Sequence, residues 1–142
     1  MANEKRMTPE AADSEPVQTI LLVDDDLMVR EVGRLMLVNL GFSVVSAADG
    51  VEAVELFGAC KEEIFLVFCD QCMPKMDGWQ TMAALRAINP DIPVIMISGG
   101  EQNAASARSH SGHPQAFISK PYMMEALRQT IDLVLNREKP TA

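Results

Sequence analysis

From residue 19 onward, short and wholly apolar runs alternate with longer segments in which apolar residues recur every three or four positions. Runs of this length suit strands that are covered on both faces of a parallel sheet, and the wider spacing is typical of amphipathic helices. The predicted strands are 20–23, 42–47, 64–69, 93–97 and 116–118, and the predicted helices are 27–40, 50–58, 79–88, 101–109 and 122–137. In the second helix, the side chains expected to face the core are Val51, Val54, Leu56 and Phe57.

Five strands that alternate with five helices predict an α/β fold, a doubly wound five-stranded parallel sheet with helices on both faces. The chain of 142 residues has room for one such domain, which we place at residues 19–137. Residues 1–18 hold few large apolar side chains and are predicted to form a flexible N-terminal tail, with a C-terminal tail at 138–142. In doubly wound sheets the functional groups gather at the carboxyl ends of the strands.

The ends of the predicted strands carry acidic, hydroxyl and basic residues. Asp24, Asp25 and Asp26 follow the first strand, Asp70 follows the third, Ser98 the fourth and Lys120 the fifth. Carboxylates crowded at one sheet edge repel one another unless a cation lies among them. Because Mg²⁺ prefers oxygen ligands, the acids predict a magnesium site. We interpret Asp26 as the N-cap of the first helix rather than as a third participant, since Asp is a favoured N-cap.

Such a site has the chemistry to receive a phosphoryl group. A metal ion and the Lys120 ammonium group can neutralise the charge on the equatorial phosphoryl oxygens. The Ser98 hydroxyl can donate a hydrogen bond to one of these oxygens. A spare carboxylate can act as the nucleophile and form an acyl phosphate.

Four sequence motifs resemble the receiver domain of two-component response regulators, a CheY-like superfamily. They are ILLVDDD (20–26), VFCDQCMPKMDG (67–78), PVIMISGG (93–100) and FISKP (117–121). Their order and their places at the strand ends match the family, and with the intervening helices they cover about residues 19–137. The resemblance implies a flavodoxin-like (β/α)5 fold and a phosphorylation switch in a phosphorelay, rather than an enzyme with an external substrate.

The resemblance also implies a role for each matched residue. Asp70 corresponds to the phospho-acceptor and Lys120 to the lysine that assists it. Asp24, Asp25, Asp70 and the backbone carbonyl of Cys72 correspond to the ligands of Mg²⁺, for which Mn²⁺ can substitute. Ser98 and Phe117 correspond to the residues that respond to phosphorylation. Three residues are expected to be structural, namely Pro121, Asp77 and Gly78. In the family, the proline at the position of Pro121 commonly follows a cis peptide bond.

Partners and location follow from charge and from the resemblance. The net charge of −8 argues against nucleic acid and against an anionic membrane as partners. Since no signal peptide or bilayer-length apolar stretch is visible in the sequence, we expect a cytoplasmic protein. The resemblance implies a histidine kinase or a histidine phosphotransfer protein as phosphodonor, and a downstream protein target that the sequence cannot name. It also suggests a homodimer through the fourth helix, fifth strand and fifth helix.

Several alternatives stay open at this point. A phosphatase of the haloacid-dehalogenase type also uses Mg²⁺ and an aspartyl phosphate, but its nucleophile follows the first strand. A degenerate receiver could act only as a protein-binding module. The chain could be a stand-alone regulator, as Met1 and the short segment after the last helix suggest, or the receiver end of a hybrid kinase, as the opening PVQTI suggests.

The small or soft residues around the acceptor raise two further questions. Cys72, two positions after Asp70, and Gly100, two after Ser98, are expected to leave the phosphoryl group open to solvent and to a docking partner. Cys69 and Cys72 have the spacing of a redox or zinc motif. They flank a strand end rather than a helix start, so neither function is favoured.

Overall fold

The computed structural model describes residues 18–99 and 112–138. Its strands are β1 (Thr19–Val23), β2 (Ser43–Ala47), β3 (Ile64–Asp70), β4 (Val94–Ser98) and β5 (Ala116–Ser119). Its helices are α1 (Leu27–Asn39), α2 (Gly50–Cys60), α3 (Gly78–Ile88) and α4 (Met124–Glu138). All strands are parallel, in the order β2-β1-β3-β4-β5. This arrangement confirms the predicted doubly wound α/β fold.

The first three helices begin at aspartates that cap them. Asp26 accepts a hydrogen bond from the backbone N–H of Val29 at 3.1 Å, which confirms its interpretation as the N-cap of α1. Asp49 caps α2 in the same way. Asp77 forms a reciprocal capping box with Gln80 at the start of α3, at 2.8 and 2.9 Å. The predicted structural role of Asp77 therefore has a local physical basis.

Hydrophobic cores lie on both faces of the sheet, because successive strand residues point to opposite sides. One core joins alternate strand residues to α2 and α3 and includes Leu21, Val23, Ala53, Phe57, Trp79, Met82 and Leu85. The other joins the remaining strand residues to α1 and α4 and includes Ile20, Leu22, Leu37, Leu127, Ile131 and Val134. This burial on both faces accounts for the continuous apolar runs in the sequence.

The structure differs from the sequence-based expectation in several details. Val51 was expected to face the core but is 53% exposed. The buried stripe of α2 is formed by Gly50, Ala53 and Phe57, and Val51 lies one residue, or about 100°, away from it. The last helix begins at Met124 rather than at Tyr122.

The predicted fourth helix at 101–109 lies outside the described residues, so α4 corresponds to the fifth predicted helix. The domain bounds 19–137 stay a prediction. No helix in the described part of the chain has the length and apolar character needed to cross a membrane.

Candidate functional site

Asp24 and Asp70 become neighbours because β1 and β3 are adjacent and in register. Val23 pairs with Cys69, so the residues that follow them meet at the same edge of the sheet. Ligand oxygens of Asp24, Asp25 and Asp70 all lie within 4.8 Å of one another. Asp24 and Asp70 are buried, at 0% and 3% exposure, whereas Asp25 is exposed. The fold thus gathers the three predicted acids.

The Lys120 ammonium group completes this cluster from β5. Its Nζ lies 3.0 Å from Oδ2 of Asp70 and 3.2 Å from Oδ2 of Asp24. The backbone N–H of Lys120 donates to the carbonyl of Ser98 at 2.8 Å, which ties the end of β5 to the end of β4. The Lys120–Pro121 peptide bond is cis, as the resemblance implied.

The electrostatics of the cluster favour cation binding. Burial raises the pKa of Asp70 to about 6, with the Asp24 charge adding to the rise, while the hydrogen bond from Lys120 opposes it. Burial lowers the pKa of Lys120, but its bonds to the two aspartates outweigh this effect and the pKa is raised overall. One lysine charge therefore does not fully compensate the buried carboxylates.

The donor set fits a hard divalent cation. Oδ1 of Asp24 accepts from the N–H of Asp26 at 2.9 Å. Oδ2 of Asp24 is buried and, apart from the ion pair with Lys120, meets no hydrogen-bond donor in 18–99 or 112–138. The Lys120 ammonium group is shared between this oxygen and Asp70, so a further cation would lower the cost of burying it. Carboxylates are ligands that Mg²⁺ takes in proteins, and the cluster supplies three.

Comparison with known proteins decides the family. The model of the response regulator receiver domain matches residues 20–132. The chain belongs to the receiver domain family of response regulators. It is therefore a phospho-accepting switch module of two-component signalling. As a family, receiver domains bind Mg²⁺ at an acidic pocket and interact with histidine kinases or phosphotransfer proteins.

Individual relatives agree with this assignment. The chain is 32% identical over 138 residues to sensor kinase CckA of Brucella abortus, and the match covers 97% of this chain but 15% of CckA. It is 32% identical over 121 residues to response regulator MprA of Mycobacterium leprae, covering 85% of this chain and 52% of MprA. The chain thus spans about half or less of these relatives.

A solved structure, the CheX–CheY–BeF3–Mg²⁺ complex of Borrelia burgdorferi, holds a chain that is 27% identical with a TM-score of 0.73. The match covers 83% of this receiver and 89% of that chain. The CheY-like fold implied by the motifs is therefore confirmed.

Ser98 and Cys72 lie at the same edge of the sheet as the acid cluster. Ser98 is buried at the end of β4, one residue beyond Ile97, the register partner of Asp70. The N–H of Cys72 donates to Oδ1 of Asp70 at 3.2 Å, so the turn after β3 contacts the Asp70 carboxylate. The role of the Cys72 carbonyl as a ligand stays a prediction.

Phe117 is 40% exposed, and its ring lies 6.1 Å from that of the buried Trp79. The side chain of Phe117 is thus turned toward the surface rather than packed in the core. Gly78 is structural for a clear reason, because a Cβ at this position would overlap the carbonyl oxygen of Asp70 and Cα of Gln71.

The cysteines show no zinc or disulfide arrangement in the described residues, where Cys60, Cys69 and Cys72 are not disulfide-bonded. Cys69 is fully buried, and burial strongly raises the pKa of its thiol. Cys72 is exposed. A buried thiol and an exposed thiol form a poor redox pair. Gly100, paired with Cys72 in the open-site hypothesis, lies outside the described residues.

Sequence reasoning did not single out Arg30 or Tyr122. The Nη1 atom of Arg30 donates to the carbonyl of Asp24 at 2.8 Å. Tyr122 is buried against α1, where a Cβ on Gly33 would overlap its hydroxyl. The sequence did hold a signal for Arg30, because it is a basic residue one turn into the helix that follows the acids. No sequence feature indicated that Tyr122 is buried.

Proposed function

We propose that Asp70 is the phospho-acceptor of this receiver. The observation that carries the proposal is the convergence of three carboxylates within 4.8 Å, with the Lys120 ammonium group 3.0 Å from Asp70. A carboxylate oxygen of Asp70 attacks phosphorus of a phosphohistidine, the P–N bond breaks, and the imidazole leaves. The product is an acyl phosphate on Asp70.

Asp24, Asp25, Asp70 and the Cys72 carbonyl are proposed to hold Mg²⁺, or Mn²⁺ in its place. When bound, the cation supplies neutralising charge for the phosphoryl oxygens. Lys120 contributes a second positive charge, because its raised pKa keeps the amino group protonated at neutral pH. Asp24 stays buried as the group that Lys120 and the cation share.

Ser98 and Phe117 are proposed to transmit the change. The new phosphoryl group adds nearly two negative charges at the sheet edge. The Ser98 hydroxyl moves toward the phosphoryl group, and the half-exposed Phe117 ring turns inward into the space this leaves. The two conformations differ in their interaction with the phosphoryl group, and this difference drives the population shift.

Exposed apolar side chains beside the cluster support a protein partner as phosphodonor. Leu27 and Met28 on α1 are 62% and 72% exposed, and Met123 after β5 is 68% exposed. Between α1 and the turn after β5 lies an apolar groove of about 240 Å³, with Lys120 at its wall. Apolar patches of this kind mark protein-binding surfaces. We propose that a histidine kinase or a histidine phosphotransfer protein docks here.

The wider setting is also part of the proposal. The receiver occupies residues 19–137 in the cytoplasm and passes its state to another protein. A homodimer through the predicted helix at 101–109, β5 and α4 is one route for this. The relatives offer two settings for such a module, a sensor kinase in CckA and a response regulator in MprA.

Phosphorylation with a small donor tests the proposal. Incubation with acetyl phosphate or phosphoramidate and Mg²⁺ should give a gain of one phosphate in the intact mass, and peptide mapping should place it on Asp70. The gain should vanish in Asp70→Asn and with EDTA, and persist in Asp91→Asn, an exposed acid in the turn before β4. Turnover of a phosphate ester would instead support the phosphatase, and no reaction the degenerate module.

A further inference from the structure

A positively charged side chain that donates a hydrogen bond lies beside the proposed cation site. The half-buried Arg30, one turn into α1, donates from Nη1 to the backbone carbonyl of Asp24 at 2.8 Å. This carbonyl belongs to the peptide that links Asp24 to Asp25. From the geometry we infer that Arg30 is a positioning residue for the divalent cation, an inference that rests on the proposed function of the acid cluster.

The bond acts through the planarity of the peptide unit. Fixing its carbonyl oxygen fixes the whole plane and hence the direction in which the chain enters Asp25. The N–H of Asp24 is already held by the Ala47 carbonyl at 3.1 Å, and Oδ1 of Asp24 by the N–H of Asp26 at 2.9 Å. The second bond closes a turn that contains the 24–25 peptide, and the bond from Arg30 adds a direct hold on the carbonyl oxygen of that peptide.

Asp25 is the acid that needs this constraint. Unlike Asp24 and Asp70 it is exposed, so packing alone does not fix its place beside the other two carboxylates. With the 24–25 peptide plane held, the Asp25 carboxylate is presented within 4.8 Å of its neighbours before any cation arrives. A preorganised ligand set loses less freedom on binding and binds more tightly.

The charge on Arg30 makes the inference testable by sign. A positive charge near a cation site repels the cation, so Coulomb's law alone predicts tighter Mg²⁺ binding once the guanidinium is removed. Positioning predicts the opposite. Loss of a residue that orients a ligand commonly weakens metal binding about 10–100-fold. The direction of the change therefore separates a positioning residue from a solvated surface charge.

Arg30→Gln removes both the charge and the long donor, and Arg30→Lys keeps the charge with a different donor geometry. Arg34→Gln is the matched control, since Arg34 lies one turn further along α1 and its guanidinium pairs with Glu31 at 3.0 Å. Mn²⁺ binding is read by electron paramagnetic resonance of the free ion, and Mg²⁺ binding by calorimetry. Binding is measured at low and high salt, because only the Coulomb effect is screened.

We expect Arg30→Gln to weaken Mn²⁺ and Mg²⁺ binding about 10-fold at both salt concentrations. Arg30→Lys should recover part of the loss, and Arg34→Gln should stay within about 2-fold of the parent protein. Circular dichroism of each variant checks that the fold is retained. Should Arg30→Gln not fold, weaker binding by a folded Arg30→Lys supports the inference, and unchanged binding overturns it.

Equal or tighter binding by a folded Arg30→Gln would overturn the role of Arg30 while leaving the proposed function intact. Absence of divalent binding in the parent protein would overturn both. Asp25→Asn serves as the reference for a site that has lost a ligand, and it should bind more weakly than Arg30→Gln.

Discussion

Asp70 should make the metal-free protein less stable when it ionises. The pKa of its carboxyl is raised from 3.8 to about 6, chiefly by burial. A group whose pKa is raised on folding holds its proton more tightly in the folded state. The stability it contributes is fully present below pH about 3.8 and is lost as the pH rises through about 6. Replacing Asp70 with Asn removes the charge and keeps the shape.

The magnitude follows from the size of the pKa rise. Each pKa unit corresponds to about 1.4 kcal/mol, so a rise from 3.8 to about 6 corresponds to about 3 kcal/mol. The exposed Asp25 and the partly exposed Lys120 leave water close to the cluster, and because this water screens the charge we expect about 1–2 kcal/mol. Lys120 keeps its contact with Asp24 at 3.2 Å in the variant, so it is not left as an unpaired charge.

The assay is urea unfolding followed by far-ultraviolet circular dichroism in EDTA. At about pH 7.5, Asp70→Asn should be more stable than the parent by about 1–2 kcal/mol, and at about pH 4 the difference should nearly vanish. Subtracting the two curves cancels other titrating groups, and Asp91→Asn controls for loss of an exposed acid. A difference that is absent, or that is equal at both pH values, would refute the reasoning.

Three further predictions concern packing and the thiols. Gly78→Ala should lower the free energy of unfolding by about 2–3 kcal/mol, because the new Cβ would overlap backbone atoms. Gly58→Ala, at a helix position with open space around it, should raise the free energy of unfolding by about 0.5–1 kcal/mol. Equal urea midpoints for the two variants would contradict this. Tyr122→Phe should stabilise by about 1 kcal/mol, since the buried hydroxyl meets no partner in the described part of the chain, and a lower thermal midpoint would disagree. Alkylation of the native protein should modify Cys72 and leave Cys69 intact until urea is added, and equal labelling rates would count against this.

The sequence predicted the composition of the site better than its neighbour relations. Acidic, hydroxyl and basic residues at strand ends were visible because a buried parallel strand ends abruptly at its first polar residue. That Asp24 meets Asp70 depends on β1 and β3 being adjacent, which the resemblance implied and strand periodicity alone did not. The same limit hid Tyr122, whose burial comes from a long-range contact with Gly33.

Local rules worked where one interaction dominates. Asp26 was assigned to a helix start from its residue type, and it caps α1, as Asp49 and Asp77 cap the next two helices. The prediction that Val51 faces the core was wrong, because the buried face of α2 is formed by Gly50, Ala53 and Phe57. A glycine in a buried stripe gives no hydrophobic signal, so periodicity shifts toward the neighbouring apolar residue.

The stability cost at Asp70 and the cation site have the same physical origin. Three carboxylates lie close together and two of them are buried, which destabilises the metal-free protein. Lys120 compensates only part of their negative charge. The remaining negative charge would attract a cation, and a bound cation would supply the positive charge that an anionic phosphoryl group needs at the site. A variant that stabilises the metal-free protein at Asp70 should therefore weaken cation binding. For this reason the stability and binding measurements on the same variants test one electrostatic cause from opposite directions.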